Sequence, residues 1–80
     1  MATAEEKIRT AFVKAFGLPQ ATDVTGFAYD TCELWDSIAH MRLIVEIEAT
    51  FDIMLDVDDV IGLSSYLKAI EIVGKYGVTF

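Results

Sequence analysis

Cysteine is almost absent from this chain of 80 residues: Cys32 stands alone, so no internal disulfide can form. Histidine is equally scarce. With His40 as the only imidazole, a closed structural zinc site has no ligand set, and no metal is expected. Proline occurs once and glycine five times, which excludes collagen-like and low-complexity chains. Basic residues are few, six against thirteen acids, for a net charge of −7. Such a chain repels phosphate backbones, so nucleic acid is a poor partner, and basic protein surfaces are better ones. No run approaches the roughly 20 apolar residues of a membrane helix, and no apolar signal segment is visible near the start. The expectation is a cytoplasmic, soluble monomer in which residues 1–80 form one domain.

What remains is a small, apolar-rich chain, 54% hydrophobic. Thr3 and Glu6 have capping-box spacing, and Ile8, Ala11, Phe12, Ala15 and Phe16 follow at helical intervals. Gly17 and Pro19 then stop the helix. Residues 17–35 show no period, but their scattered Leu18, Val24, Phe27, Tyr29, Leu34 and Trp35 predict a long loop pinned across the core. Asp36 is a favoured N-cap for a second helix. That helix carries two apolar stripes: Ile44, Ile47 and Phe51 with Leu43 beside them, and Ile38, Met41 and Val45. One stripe faces the core; the period does not distinguish core packing from partner docking for Ile38, Met41 and Val45. Asp56, with Asp59 at the box position, predicts a short helical turn over Val57 to Ile61, closed by Gly62. Ser64 or Ser65 caps a last helix with Tyr66, Leu67, Ala69, Ile70, Val73 and Tyr76 on one side, ended near Gly74 and Gly77. The predicted fold is all-α, a four-helix bundle of three main helices and one short one.

Few residues carry enzyme chemistry. Ser37 and His40 lie three apart on a helix, close enough to meet, but no Gly-x-Ser-x-Gly elbow surrounds the serine. His40 reads instead as an exposed helix residue. Asp58 and Asp59 are adjacent, so they do not face one another as a catalytic pair; they read as solvated charges open to basic partners. Their spacing with Asp56 does not match a calcium loop. Cys32 reads as a small loop residue. The informative segment is Leu34-Trp35-Asp36-Ser37-Ile38, which sets a hydroxyl at the first turn of an apolar helix, where the helix dipole favours an anion such as a phosphodiester. On its own the pair Asp36-Ser37 is also an ordinary cap.

This segment, set in its helical frame, resembles the acyl carrier proteins. The likeness runs over nearly the whole chain: the first helix ending at Gly17-Leu18, the loop with Val24 and Tyr29, Asp36-Ser37-Ile38, the helix to Phe51-Asp52-Ile53, the acidic Asp56 to Asp59 stretch and the Ser-capped last helix. The family motif is Asp-Ser-Leu, with Ile38 here replacing leucine. The resemblance implies a non-catalytic carrier with 4′-phosphopantetheine, derived from coenzyme A, on Ser37 beside Asp36, holding acyl groups as thioesters. It implies as partners a phosphopantetheinyl transferase, an acyl-loading ligase or acyltransferase, and a ketosynthase or other acyl-processing enzyme of fatty acid, polyketide or related biosynthesis. Ile38, Met41, Val45, Glu46, Glu48, Asp58 and Asp59 are the expected docking residues. Arg42 dilutes the acidic second helix usual in fatty acid synthesis, and Trp35 looks like discrete carriers of specialised pathways. Leu34-Trp35 stands where peptidyl carriers have glycines, which disfavours an aminoacyl load. A helical interaction module without the arm is the alternative from a different class.

Overall fold

A computed structural model describes residues 3–80. Four helices follow in chain order: α1, Ala4–Phe16; α2, Ser37–Phe51; α3, Val57–Gly62; and α4, Tyr66–Lys75. The molecule is a small all-helical bundle.

Local chemistry marks the helix ends. The Thr3 hydroxyl accepts the Glu6 N–H at 3.1 Å, and Gly17 closes α1 in the left-handed conformation at φ 65°. The Leu18 N–H then returns to the Val13 carbonyl at 2.9 Å, satisfying a carbonyl the helix leaves open. The Asp36 carboxylate accepts the Ala39 N–H at 2.8 Å and starts α2. That helix ends at Asp52, a left-handed residue at φ 54°, which aspartate tolerates better than bulkier side chains do. Ser65, rather than Ser64, caps α4, accepting the Lys68 N–H at 3.0 Å.

The expected box at α3 does not form. Asp56 precedes the helix without a side-chain cap bond, and Asp59 is turned inward. Along α4 the buried set is Tyr66, Ala69, Ile72 and Val73. Leu67, expected inside, is exposed. It lies about 100° around the helix from Tyr66, which takes the inward position, and Ile72 fills the stripe instead.

Three of the helices and Leu63, just past α3, fill one core. Ile8, Phe12, Leu43, Ile47, Leu63, Tyr66, Ile72 and Val73 are fully buried there. Phe12 is its aromatic hub, edge-on to Tyr66 at 5.2 Å, Trp35 at 5.7 Å and Phe16 at 5.8 Å between ring centres. The long loop between α1 and α2 is pinned at four places. Val24 and Trp35 are buried. The Arg9 guanidinium donates to the Gln20 carbonyl. An isolated antiparallel bridge joins Ala28 to Ser65, with the Tyr29 N–H on the Ser64 carbonyl at 2.8 Å and the Tyr66 N–H on the Phe27 carbonyl at 2.9 Å. Backbone groups that a loop would leave to water are therefore spent on α4's entry.

Phe12→Ala should cost about 3–5 kcal/mol, against a total of roughly 4–12 kcal/mol for a domain of this length. Urea unfolding followed by circular dichroism is expected to show a large fall in midpoint or a chain already unfolded in buffer.

Candidate functional site

The start of α2 is placed by alternating directions. Trp35 points into the core and is 3% exposed. Asp36 spends its carboxylate on the cap, Ser37 faces solvent, and Ala39 is buried. The Ser37 hydroxyl thus stands exposed on the first turn of a helix whose cap is already satisfied by its neighbour.

Hollows open on both sides of it. A trough of about 650 Å³ lies between α1 and α2, lined by Lys14 and Ala15 from α1 and by Ser37, Ile38, Met41, Arg42, Val45 and Glu46 from α2. A second hollow of about 390 Å³ lies toward α3, lined by Tyr29, Ser37, His40, Met41, Ile61, Leu63 and Ser64. Ser37 and Met41 border both.

The two apolar stripes of α2 separate cleanly. Leu43, Ile44 and Ile47 are buried, whereas Ile38, Met41 and Val45 are 66%, 53% and 59% exposed. This row at i, i+3 and i+7 is therefore not core packing, and it lies bare on one helix face.

The expected acidic docking residues divide. Asp58 is exposed, and Glu46 is half-buried at the trough. Glu48 is half-buried, and its carboxylate accepts the Leu55 N–H at 2.9 Å, so it closes the α2–α3 connection. Asp59, expected as a solvated charge, is the one buried charged residue among those described. It receives the Lys75 ammonium at 2.7 Å and the Tyr76 hydroxyl at 2.6 Å, while the Tyr76 oxygen accepts the Asp56 N–H at 3.0 Å. This carboxylate ties α3 to the end of α4 and spends both its oxygens on the fold.

His40 also departs from the exposed position expected of it. It is half-buried and stacks on Trp35 with ring centres 6.2 Å apart. The indole N–H can only donate, and it donates to Nδ1 at 3.0 Å; Nε2 lies 2.7 Å from the Val60 carbonyl, which can only accept. The imidazole is therefore the Nε2–H tautomer, with both nitrogens in use. Neither is free to take a proton from Ser37.

Sequence reasoning missed the α1 contribution, Lys14 and Ala15, and the far wall of the second hollow, Tyr29 and Ile61. Lys14 follows the polar pattern of α1 and Ile61 an ordinary apolar pattern, so only the packing of helices brings them to Ser37. No cluster of three or more His, Cys, Asp or Glu side chains suited to a metal occurs among the described residues. No helix among them is long and apolar enough to cross a membrane. Compared with known proteins, the chain matches no family model and no curated protein.

Asp59 gives the site region a pH signature. Hydrogen bonds from Lys75, then Tyr76, hold its carboxyl below the usual range. A carboxyl lowered by folding stabilises the fold above its unfolded value, near pH 4, and that stabilisation is lost as pH falls through the lower folded value. Lys75 is raised by the same bond, so its share is present below the ordinary lysine range and is lost as pH climbs through the raised value. Asp59→Asn should lower the Tm at pH 7, and the gap to the parent should close as the scan is repeated toward pH 2.

Proposed function

We propose that this chain is an acyl carrier, modified with 4′-phosphopantetheine on Ser37 and acting as a non-catalytic shuttle between enzymes. The observation that carries the reading is the exposed Ser37 hydroxyl on the first turn of α2, with apolar hollows on both sides. The resemblance of the Asp36-Ser37-Ile38 frame to the carrier family adds to it.

The residues present fit the group. The Asp36 carboxylate is occupied with the Ala39 N–H, so it leaves the serine oxygen uncommitted. The first-turn amides of α2 and the cations Lys14 and Arg42 nearby favour the negative charge of a phosphodiester, which Asp36 opposes in part. When bound, the group supplies a thiol that holds an acyl load as a thioester at the end of a flexible tether. The chain's own work is presentation. Ser37 fixes the point of attachment on a rigid helix, and tethering raises the load's local concentration at a partner's active site. Ile38, Met41 and Val45 supply an apolar face beside the attachment point, bordered by Glu46, for the transferase, the acyl-loading enzyme and the acyl-processing enzymes to grip. Glu48 and Asp59 stay in the fold, so the docking set reduces to Ile38, Met41, Val45, Glu46 and Asp58.

The engagement of both His40 nitrogens supports a carrier over a serine hydrolase, because no base stands ready for Ser37. The short α2 face also suits an interaction module that carries no arm, and modification separates the two.

Incubation with coenzyme A, magnesium and a broad-specificity phosphopantetheinyl transferase should add one phosphopantetheine to the parent, read as intact mass, and none to Ser37→Ala. An unmodified parent with two different transferases, in a sample folded by circular dichroism, would favour the armless module.

A further inference from the structure

The α1–α2 side of the molecule holds a second feature, in the trough that Ser37 borders. The apolar trough along Ile38, Met41 and Val45 adjoins a more polar depression of about 240 Å³, which Leu34 and Asp36 help to line. Lys14 and Arg42 line both hollows. These two cations are unlike most of the others. Lys68 is paired with Glu71, Lys75 with Asp59, and Arg9 is held by the Gln20 carbonyl. Neither Lys14 nor Arg42 has an ion-pair partner among the described residues. The acids facing this side are Asp36, whose carboxylate already accepts the Ala39 N–H, and Glu46, which lies at the Val45 end of the trough. In a chain of net charge −7, the depression has two cations against the one carboxylate of Asp36, a small local excess of positive charge beside an open apolar trough.

We infer that this face binds a free single-chain amphiphile with a carboxylate head. The head sits between Lys14 and Arg42, and the alkyl chain lies along Ile38, Met41 and Val45. Ile38 to Val45 spans about 10 Å of helix axis, which matches an extended chain of about eight to ten carbons. Burying that chain on three exposed apolar side chains supplies the attraction, and the two cations choose the head. A cationic head would meet repulsion from both, and a neutral head would gain nothing from either.

The test is an NMR titration of ¹⁵N-labelled Ser37→Ala chain with sodium decanoate, decyltrimethylammonium and decanol, each below its aggregation or solubility limit. Because this chain cannot be modified, the result does not depend on the carrier reading, and failure of either leaves the other standing. Decanoate should produce saturable shifts centred on Lys14, Ile38, Met41, Arg42 and Val45, and should bind at least threefold tighter than decyltrimethylammonium. Lys14→Gln with Arg42→Gln should weaken decanoate about three- to tenfold and leave decanol unchanged. Val45→Asn should weaken all three. Shifts centred instead on Tyr29, Ile61 and Leu63, equal affinity for the two charged heads, or no saturable binding would overturn the proposal. Far-UV circular dichroism of each variant checks that the helices remain.

Discussion

The burial of Trp35 is the constraint on which the functional end of the molecule depends. This side chain enters the core from a loop, immediately before the cap of α2, and packs against Phe12, Phe16 and Tyr29. Its indole N–H would be orphaned there, at a cost of about 1–3 kcal/mol, without the His40 imidazole. His40 in turn donates to the Val60 carbonyl, so one chain of hydrogen bonds links the loop, the first turns of α2 and the middle of α3. Residue 35 facing inward leaves residue 36 to cap and residue 37 to face water. The position of Ser37 is thus a consequence of where the tryptophan goes.

The same anchoring decides which face of α2 is bare. With Trp35 and His40 holding its first turns, Leu43, Ile44 and Ile47 meet the core, and Ile38, Met41 and Val45 are left outside. Exposed apolar side chains in a row are a standing cost in solubility, which the surplus of acids offsets through net charge. A face kept bare in this way, beside an exposed hydroxyl, is what gives the carrier reading its physical content. The partners of Asp59 act behind α3, next to Val60, whose carbonyl His40 reaches. Lys75 and Tyr76 hold α3 against α4, so the far wall of the hollow near Ile61 and Leu63 has a fixed base.

Features set by local chemistry were legible in the chain itself. The Thr3 and Asp36 caps, the Gly17 stop and the serine cap of α4 each depend on residues within four positions of one another, and all four are present. The pinned loop was legible from its large apolar side chains, because Val24 and Trp35 have nowhere else to go. Illegible were the interactions between distant positions. Nothing near His40 in the sequence marks Val60 as a partner, and nothing near Asp59 marks Lys75 and Tyr76, which lie 16 and 17 residues on. Both side chains therefore read as surface groups. Helical period identified the two stripes of α2 but not their sides, since both are apolar and only packing against α1 selects one. The Lys14 wall of the trough escaped for the same reason.

The most direct test of this account is amide and indole hydrogen exchange by NMR, read at the Trp35 indole N–H. Bonded to His40 in a closed core, that proton should exchange as slowly as the backbone amides around Phe12 and Leu43, and should show cross-relaxation to the His40 ring. An indole proton that exchanges at the rate of an exposed side chain, in a chain whose core amides are protected, would contradict the account. Trp35 would then not be the anchor, and the presentation of Ser37 would need another cause.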